Sequence, residues 1–169
     1  MLSRLAYRTR QFWNALPGSQ RRVETEALLP HLSPSQIVLF HRMQPSEQTH
    51  AYQMFERLKA SGHADPDLLS AALLHDVGKA LYPLSLIDRV VIVLGKRFFR
   101  RRAGRWSEGP LNRFRRPFVV AAQHPDWGAD LAKQAGASSL TVDLIRRHQD
   151  VPSADDSLLA ALQSTDDAN

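Results

Sequence analysis

The segment at residues 68–74 constrains the fold most, because it is apolar on nearly every side of the helix that it predicts. Asp65 and Pro66 stand just before it, and an acid and a proline both favour the first turn of a helix. A helix without a polar face has to be surrounded by other elements. The pattern therefore predicts a central buried helix that ends at His75-Asp76.

The rest of the chain is also patterned for helices, with apolar residues at helical spacing between Pro and Gly breaks. Residues 84–94 are rich in β-branched side chains, which are typical of strands, but their helical surroundings favour a helix. We find no internal repeat, and we predict an all-α fold in a single domain, 1–169. The other predicted helices are a short one through residues 2–13 that ends before Pro17, a segment through 37–40 that Ser33 or Ser35 could cap, one from Glu47 that Gly62 stops, and 118–123, 126–134, 140–148 and 157–163. Asp166 and Asp167 lie just beyond the last.

Composition limits the possible chemistry. The chain has 169 residues, of which 43% are hydrophobic, and this suits one globular domain. It has no cysteine, which excludes disulfides, thiolate zinc sites and a cysteine nucleophile. Any metal must be held by nitrogen and oxygen ligands. With no signal-peptide pattern and no apolar stretch of the ~20 residues that span a bilayer, we expect a soluble, cytoplasmic protein.

The charge is concentrated in one segment. The net charge is +5, and the stretch from Lys96 to Arg116 holds nine Lys or Arg residues and one acid, Glu108. The simpler interpretation is a solvated surface segment at about 96–117, a loop or an insertion that contains a broken helix. The functional interpretation is an electrostatic patch for a phosphorylated ligand, nucleic acid or anionic lipid.

The dipeptide His75-Asp76 is the first candidate site, because it closes the apolar helix. Burying an unpaired charge costs on the order of several kcal/mol, so a buried pair of this kind needs a compensating partner. A divalent cation is one such partner, and it requires a neutral imidazole and an ionised carboxylate. An ordinary helix C-terminus with a stabilising His and an exposed Asp explains the dipeptide equally well.

Residues 73–79, Leu-Leu-His-Asp-Val-Gly-Lys, resemble the signature of the HD-domain superfamily of metal-dependent phosphohydrolases. His50, on the preceding predicted helix, resembles the upstream His of that superfamily, and Asp166 resembles its downstream Asp, with Asp167 as an alternative. The resemblance implies a first metal site formed by His50, His75, Asp76 and Asp166.

Two later segments are similar to the subset of the superfamily that binds two metals. They are His-Pro-Asp-Trp-Gly-Ala-Asp at 124–130 and Arg-Arg-His-Gln-Asp at 146–150. The resemblance implies a second site formed by His124 and His148, with Asp76 bridging the two. It also implies an HD-domain-like helical bundle over about 47–167, with an N-terminal helical extension at 1–46.

The function implied by this resemblance is hydrolysis of a nucleotide or another small phosphate ester by a metal-bound hydroxide, as a phosphomonoesterase or phosphodiesterase. Nitrogen and carboxylate ligands suit one or two ions of Mn, Fe, Co, Ni or Zn better than Mg or Ca. Lys79 lies about one helical turn from His75. In a functional role, Lys79 holds a phosphate or stabilises the leaving oxygen. In a structural role, it is a cation that interacts with a helix C-terminus.

The segment after His148 departs from one branch of the superfamily. It lacks the Gly-Tyr-Pro motif of the enzymes that cleave cyclic dinucleotides, and Gln149 stands where a Glu often follows. Two other functions are kept open: a non-catalytic HD-fold sensor or scaffold, and a protein that binds anionic surfaces, with peripheral membrane contact through 84–102. We expect no nucleic-acid partner.

Overall fold

The structure, a computed structural model, describes residues 23–112 and 114–168, which form eight α-helices and no strand. The all-α prediction is thereby confirmed. Two short 3₁₀ segments, Thr25–Ala27 and Val77–Leu81, accompany the helices. The helices are α1 (Pro34–His41), α2 (Pro45–Ala60), α3 (Pro66–Leu74), α4 (Leu86–Phe98), α5 (Arg100–Ser107), α6 (Arg116–Gln134), α7 (Ser139–Arg147) and α8 (Ser157–Asp167).

Local sequence signals account for where several helices begin. Proline occupies the first helical position of α1, α2 and α3, where no amide donor is needed and its fixed φ suits a helix. Ser33 and Gln36 form a reciprocal capping box at the start of α1. The Asp65 carboxylate caps α3 by accepting hydrogen bonds from the amides of Asp67 and Leu68.

Helix α3 lies at the centre of the molecule, in contact with α1, α2, α7 and α8. Six of its nine residues are buried and apolar. The predicted central helix is thus confirmed. Because α3 ends at Leu74, its burial carries His75 and Asp76 into the interior, where both are at most 4% exposed.

Helix α6 corrects one sequence prediction. The pattern predicts two helices, 118–123 and 126–134, but the structure has one continuous helix with Pro125 inside it. An interior proline removes a backbone hydrogen bond and costs about 3 kcal/mol. The helix continues because buried side chains lie on both sides of the proline, so packing outweighs the lost bond.

Helix α8 corrects a second prediction, that the last helix ends at residue 163 with Asp166 beyond it. The helix extends to Asp167 and therefore includes Asp166. The Arg57 guanidinium of α2 donates a hydrogen bond of 2.9 Å to the carbonyl oxygen of Ala168, which ties the end of α8 to the body of the molecule.

The predicted basic segment, 96–117, forms the end of α4, all of α5 and the connection to α6. The helix predicted at 84–94 is confirmed as part of α4. Both α4 and α5 pack on α6: a Cβ on Gly95 would lie 2.5 Å from the ring of Phe118, and the ring of Trp106 lies 5.0 Å from that of Phe118 between centroids.

The N-terminal part of the chain is described from Val23 onward, so the helix predicted at 2–13 lies outside the described residues. The described part of the predicted extension, from Val23 onward, contains the first 3₁₀ segment and α1. Among the helices within the described ranges, none is both long enough and apolar enough to cross a bilayer. The single-domain organisation stays a prediction.

Gly78 allows the second 3₁₀ segment to lie directly against α6. A Cβ at this position would collide with the carbonyl oxygen of His124 and would lie 2.7 Å from the amide nitrogen of Gly128. Both are backbone atoms of a long helix, so they cannot move aside alone. The absence of a side chain at Gly78 therefore sets how closely Asp76 approaches His124.

We expect Gly78→Ala to lower the free energy of unfolding by about 3 kcal/mol, because the added methyl group meets backbone atoms. Denaturant unfolding followed by circular dichroism measures this change. Gly104→Ala is the matched control: its Cβ meets no atom within 4 Å on α5, so stability should stay level or rise by about 0.5–1 kcal/mol. Equal stability of Gly78→Ala and the wild type would contradict the close approach.

Candidate metal centre

Five separate parts of the chain bring six potential ligands together. His50 lies on α2, His75 and Asp76 follow α3, His124 lies on α6, His148 follows α7, and Asp166 lies on α8. They form two triads, which are His50, His75 and Asp166, and Asp76, His124 and His148. Within each triad the potential ligand atoms all lie within 4.8 Å of one another.

Three of the imidazoles are oriented by the helices that carry them. Their Nδ1 atoms lie within hydrogen-bond distance of backbone carbonyl oxygens, at 2.9 Å for His75, 3.0 Å for His124 and 2.7 Å for His148. A carbonyl oxygen can only accept, so this geometry assigns the proton to Nδ1. In its neutral form each ring carries its lone pair at Nε2, which is the arrangement that metal-binding histidines use.

The three Nε2 atoms converge in a buried space. His75 Nε2 is buried and has no hydrogen-bond partner. His124 Nε2 and His148 Nε2 lie 3.2 Å apart, so two lone pairs face each other. Buried unsatisfied acceptors cost about 1–3 kcal/mol each. A cation is the partner that satisfies several such lone pairs at once, so the donor set fits a bound divalent ion.

The Asp76 carboxylate lies between the two triads. Its Oδ1 is 3.2 Å from His124 Nε2, while its Oδ2 is 3.6 Å from His75 Nε2 and 2.6 Å from Lys79 Nζ. Burial alone raises the pKa of this carboxyl group, but the Lys79 ammonium and the neighbouring histidines outweigh it and hold the pKa well below its usual range. Asp76 is therefore ionised, and it faces both triads.

The pKa values of two histidines favour the neutral form that binds metals. Burial lowers the pKa of His148 to about 3, and the closeness of His75 and His124, whose protonated forms would repel a charge on His148, lowers it further. Burial also lowers the pKa of His124, although the neighbouring Asp76 carboxylate raises it. Both rings therefore keep their Nε2 lone pairs at neutral pH.

Asp166, rather than Asp167, lies at the centre. Its Oδ1 is 3.0 Å from His50 Nε2, whereas Asp167 is exposed. Burial tends to raise the pKa of the Asp166 carboxyl, but the hydrogen bond with His50 and the charges of His75 and His50 lower it to about 2. The carboxylate is thus available as a ligand next to His50 and His75.

Sequence reasoning missed a buried ion pair beside the centre. Arg89 Nη2 of α4 donates to Glu47 Oε1 of α2 at 3.0 Å, and Glu47 is 2% exposed. Glu47 lies one helical turn before His50. Its position could have been noticed in the sequence, because acidic residues are favoured in the first turn of a helix. Nothing local marks Arg89, because its partner is 42 residues away.

A cavity of about 1030 Å³ is lined by Pro125, which follows His124, and by Gln149, which follows His148, but by none of the six potential ligands. Gln149 lines it and places its Nε2 3.5 Å from His124 Nε2. The wall has an excess of two positive charges. Its charged side chains are Lys96 and Arg97 of α4, Arg146 and Arg147 of α7, and the carboxylates of Asp126 and Asp150.

Comparison of the chain with protein-family models gives no match, and searches of curated proteins and of solved structures return no similar protein. The likeness to the HD-domain superfamily therefore stays a prediction from the motifs. The structure by itself establishes an all-helical protein with two adjacent His and Asp triads that can hold metal ions.

We expect Mn²⁺ or Co²⁺ to stabilise the protein, because the ion binds ligands that come together only in the folded state. At a metal concentration about 100 times Kd, the free energy of unfolding should rise by about 2.7 kcal/mol. His148→Ala should lose at least half of that gain and should lower the metal content in elemental analysis. Denaturant unfolding with and without metal measures the gain.

The matched control for this substitution is His63→Ala, which removes an imidazole from the connection between α2 and α3, away from both triads. It should keep the metal-dependent gain. Retention of the full gain and of the wild-type metal content by His148→Ala would contradict a site at the second triad.

Proposed function

We propose that this protein is a metal-dependent phosphohydrolase of the HD-domain type, acting on a nucleotide or another small phosphate ester. One observation carries the proposal: the Nε2 lone pairs of His75, His124 and His148 converge in a buried space around the ionised Asp76. Imidazole and carboxylate together suit Mn, Fe, Co, Ni or Zn.

Each triad is proposed to hold one divalent ion, with Asp76 between them. Ions bound there supply a Lewis acid that activates water as a nucleophile and neutralises charge on phosphoryl oxygens. The chain itself supplies ionised Asp76, whose two oxygens are directed toward different triads. It also supplies fixed rings, because the carbonyl hydrogen bonds at Nδ1 orient each Nε2.

Lys79 is proposed to contribute positive charge at the edge of this centre. Its ammonium contacts Asp76, and its pKa is raised: the carboxylates of Asp76 and Glu47 outweigh the opposing effect of burial. A cation that remains protonated can donate to a phosphate oxygen or stabilise the leaving oxygen. The ion pair of Glu47 with Arg89 holds α2 and α4 together beside it.

The cavity is the proposed substrate pocket, because Gln149 connects its wall to His124. Arg146 and Arg147 are already paired with carboxylates of α6, α7 and the segment that follows α7. Lys96 and Arg97 enter the wall from α4. An excess of positive charge in a recessed pocket attracts anionic ligands, which favours a phosphorylated substrate.

Incubation with Mn²⁺ and a panel of nucleotides and phosphomonoesters tests the proposal by the release of phosphate or nucleoside monophosphate. Asp76→Asn should lower kcat at least about 100-fold, because it removes a charged ligand from the centre. Asp155→Asn changes an exposed carboxylate of the α7–α8 connection and should retain full activity. Metal-loaded wild-type protein that turns over no panel member would favour a non-catalytic scaffold and contradict the proposal.

The double variant Lys96→Ala with Arg97→Ala tests whether the cavity is the substrate pocket. We expect KM for the best substrate to rise about tenfold with a smaller change in kcat, since these groups attract the substrate rather than contact the metal centre. Lys59→Ala combined with Lys133→Ala removes the same charge from exposed positions outside the cavity. An equal rise in KM for both pairs would show that only net charge matters.

A further inference from the structure

Helix α4 has a row of exposed apolar side chains, the α4 stripe, formed by Ile87, Val90, Leu94 and Phe98. Their spacing of three, four and four residues places them on one face of the helix. Their exposed fractions are 75%, 37%, 49% and 69%, respectively. Single exposed apolar residues are common on protein surfaces, but a continuous row of large ones marks a contact surface.

The opposite side of α4 is already attached to the protein. Gly95 is buried against the ring of Phe118, and Arg89 is paired with Glu47. Asp88, one turn from the start of the helix, lies 3.6 Å from Arg116 of α6. With that side held against the body, the α4 stripe faces away from it.

Apart from Asp88, which faces Arg116, the charged residues of α4 and α5 are all positive. From Arg89 to Ser107 the sequence contains seven Lys or Arg residues and no Asp or Glu. Among these, Lys96, Arg97 and Arg102 are exposed, as is Arg105 on α5. An apolar face flanked by cations is the composition of helices that lie in the interface of anionic membranes.

We infer that α4 and α5 form a docking surface for an anionic lipid bilayer. The α4 stripe enters the boundary between headgroups and acyl chains, and the surrounding cations contact the lipid phosphates. This is peripheral binding, and the α4 stripe itself takes no part in the proposed hydrolysis, although Lys96 and Arg97 beside it also line the cavity.

Charge argues against two other occupants of the stripe. A second copy related by twofold symmetry would bring the same surface against itself, so the cations of both copies would face one another. The N-terminal segment of this chain has five Arg residues and no acid before Glu24, so it adds cations rather than neutralising them. An anionic bilayer matches both the apolar stripe and the positive charge.

Vesicle co-sedimentation of the full chain tests the inference. Vesicles of phosphatidylcholine mixed with phosphatidylglycerol should bind the protein at least about tenfold more tightly than phosphatidylcholine alone. Salt of about 1 M should weaken that binding, because it shortens the Debye length to ~3 Å. The combined change Ile87→Ser, Leu94→Ser and Phe98→Ser should also weaken binding at least about tenfold, since apolar burial is lost.

The matched control replaces three exposed apolar residues elsewhere, as Leu29→Ser, Val38→Ser and Val151→Ser, and it should bind like the wild type. Circular dichroism establishes that both triple variants are folded. The inference is overturned if the wild-type protein binds anionic vesicles no more tightly than neutral ones. A stripe variant that binds anionic vesicles as tightly as the wild type also overturns it. The inference fails as well if the stripe variant loses self-association but keeps lipid binding. Turnover of soluble substrates is unaffected by any of these outcomes and tests the proposed function separately.

Discussion

The structure depends on the burial of His75 and Asp76 at the end of α3, because buried polar groups need partners. The helix is apolar on nearly all sides, so it can be stable only at the centre of the bundle. Its C-terminal neighbours His75 and Asp76 are consequently drawn into the interior. There, His75 Nε2 has no hydrogen-bond partner, and the opposed Nε2 atoms of His124 and His148 add to the unfavourable arrangement. Cations held by the two triads would offset these costs, and they would join α2, α3, α6, α7 and α8.

The precision of the centre comes from backbone contacts. Each ring is oriented by a carbonyl oxygen of its own preceding helical turn, three or four residues earlier. Gly78 lets the segment that carries Asp76 lie against the backbone of α6. Side-chain flexibility is therefore removed before any ligand arrives, which lowers the entropic cost of binding.

Helices α4 and α5 have two different surfaces. Toward α6 and α7, Lys96 and Arg97 contribute to the wall of the cavity. Away from the protein, the α4 stripe exposes large apolar side chains. A basic segment that sequence analysis interprets most simply as a solvated loop thus combines a recessed cationic wall with an apolar outer face. Because the two surfaces lie on the same helix pair, lipid binding and access to the cavity can be measured on one set of variants.

The sequence by itself determined the helical class, the central position of α3 and its start at Asp65-Pro66, because these follow from local periodicity and capping. Motif order also selected the six residues that the structure brings together. Tertiary packing decided the rest. It kept α6 continuous through Pro125, extended α8 to include Asp166, and paired Arg89 with Glu47. These outcomes depend on contacts between residues far apart in the chain, whose energies exceed the local preferences that a sequence pattern reports.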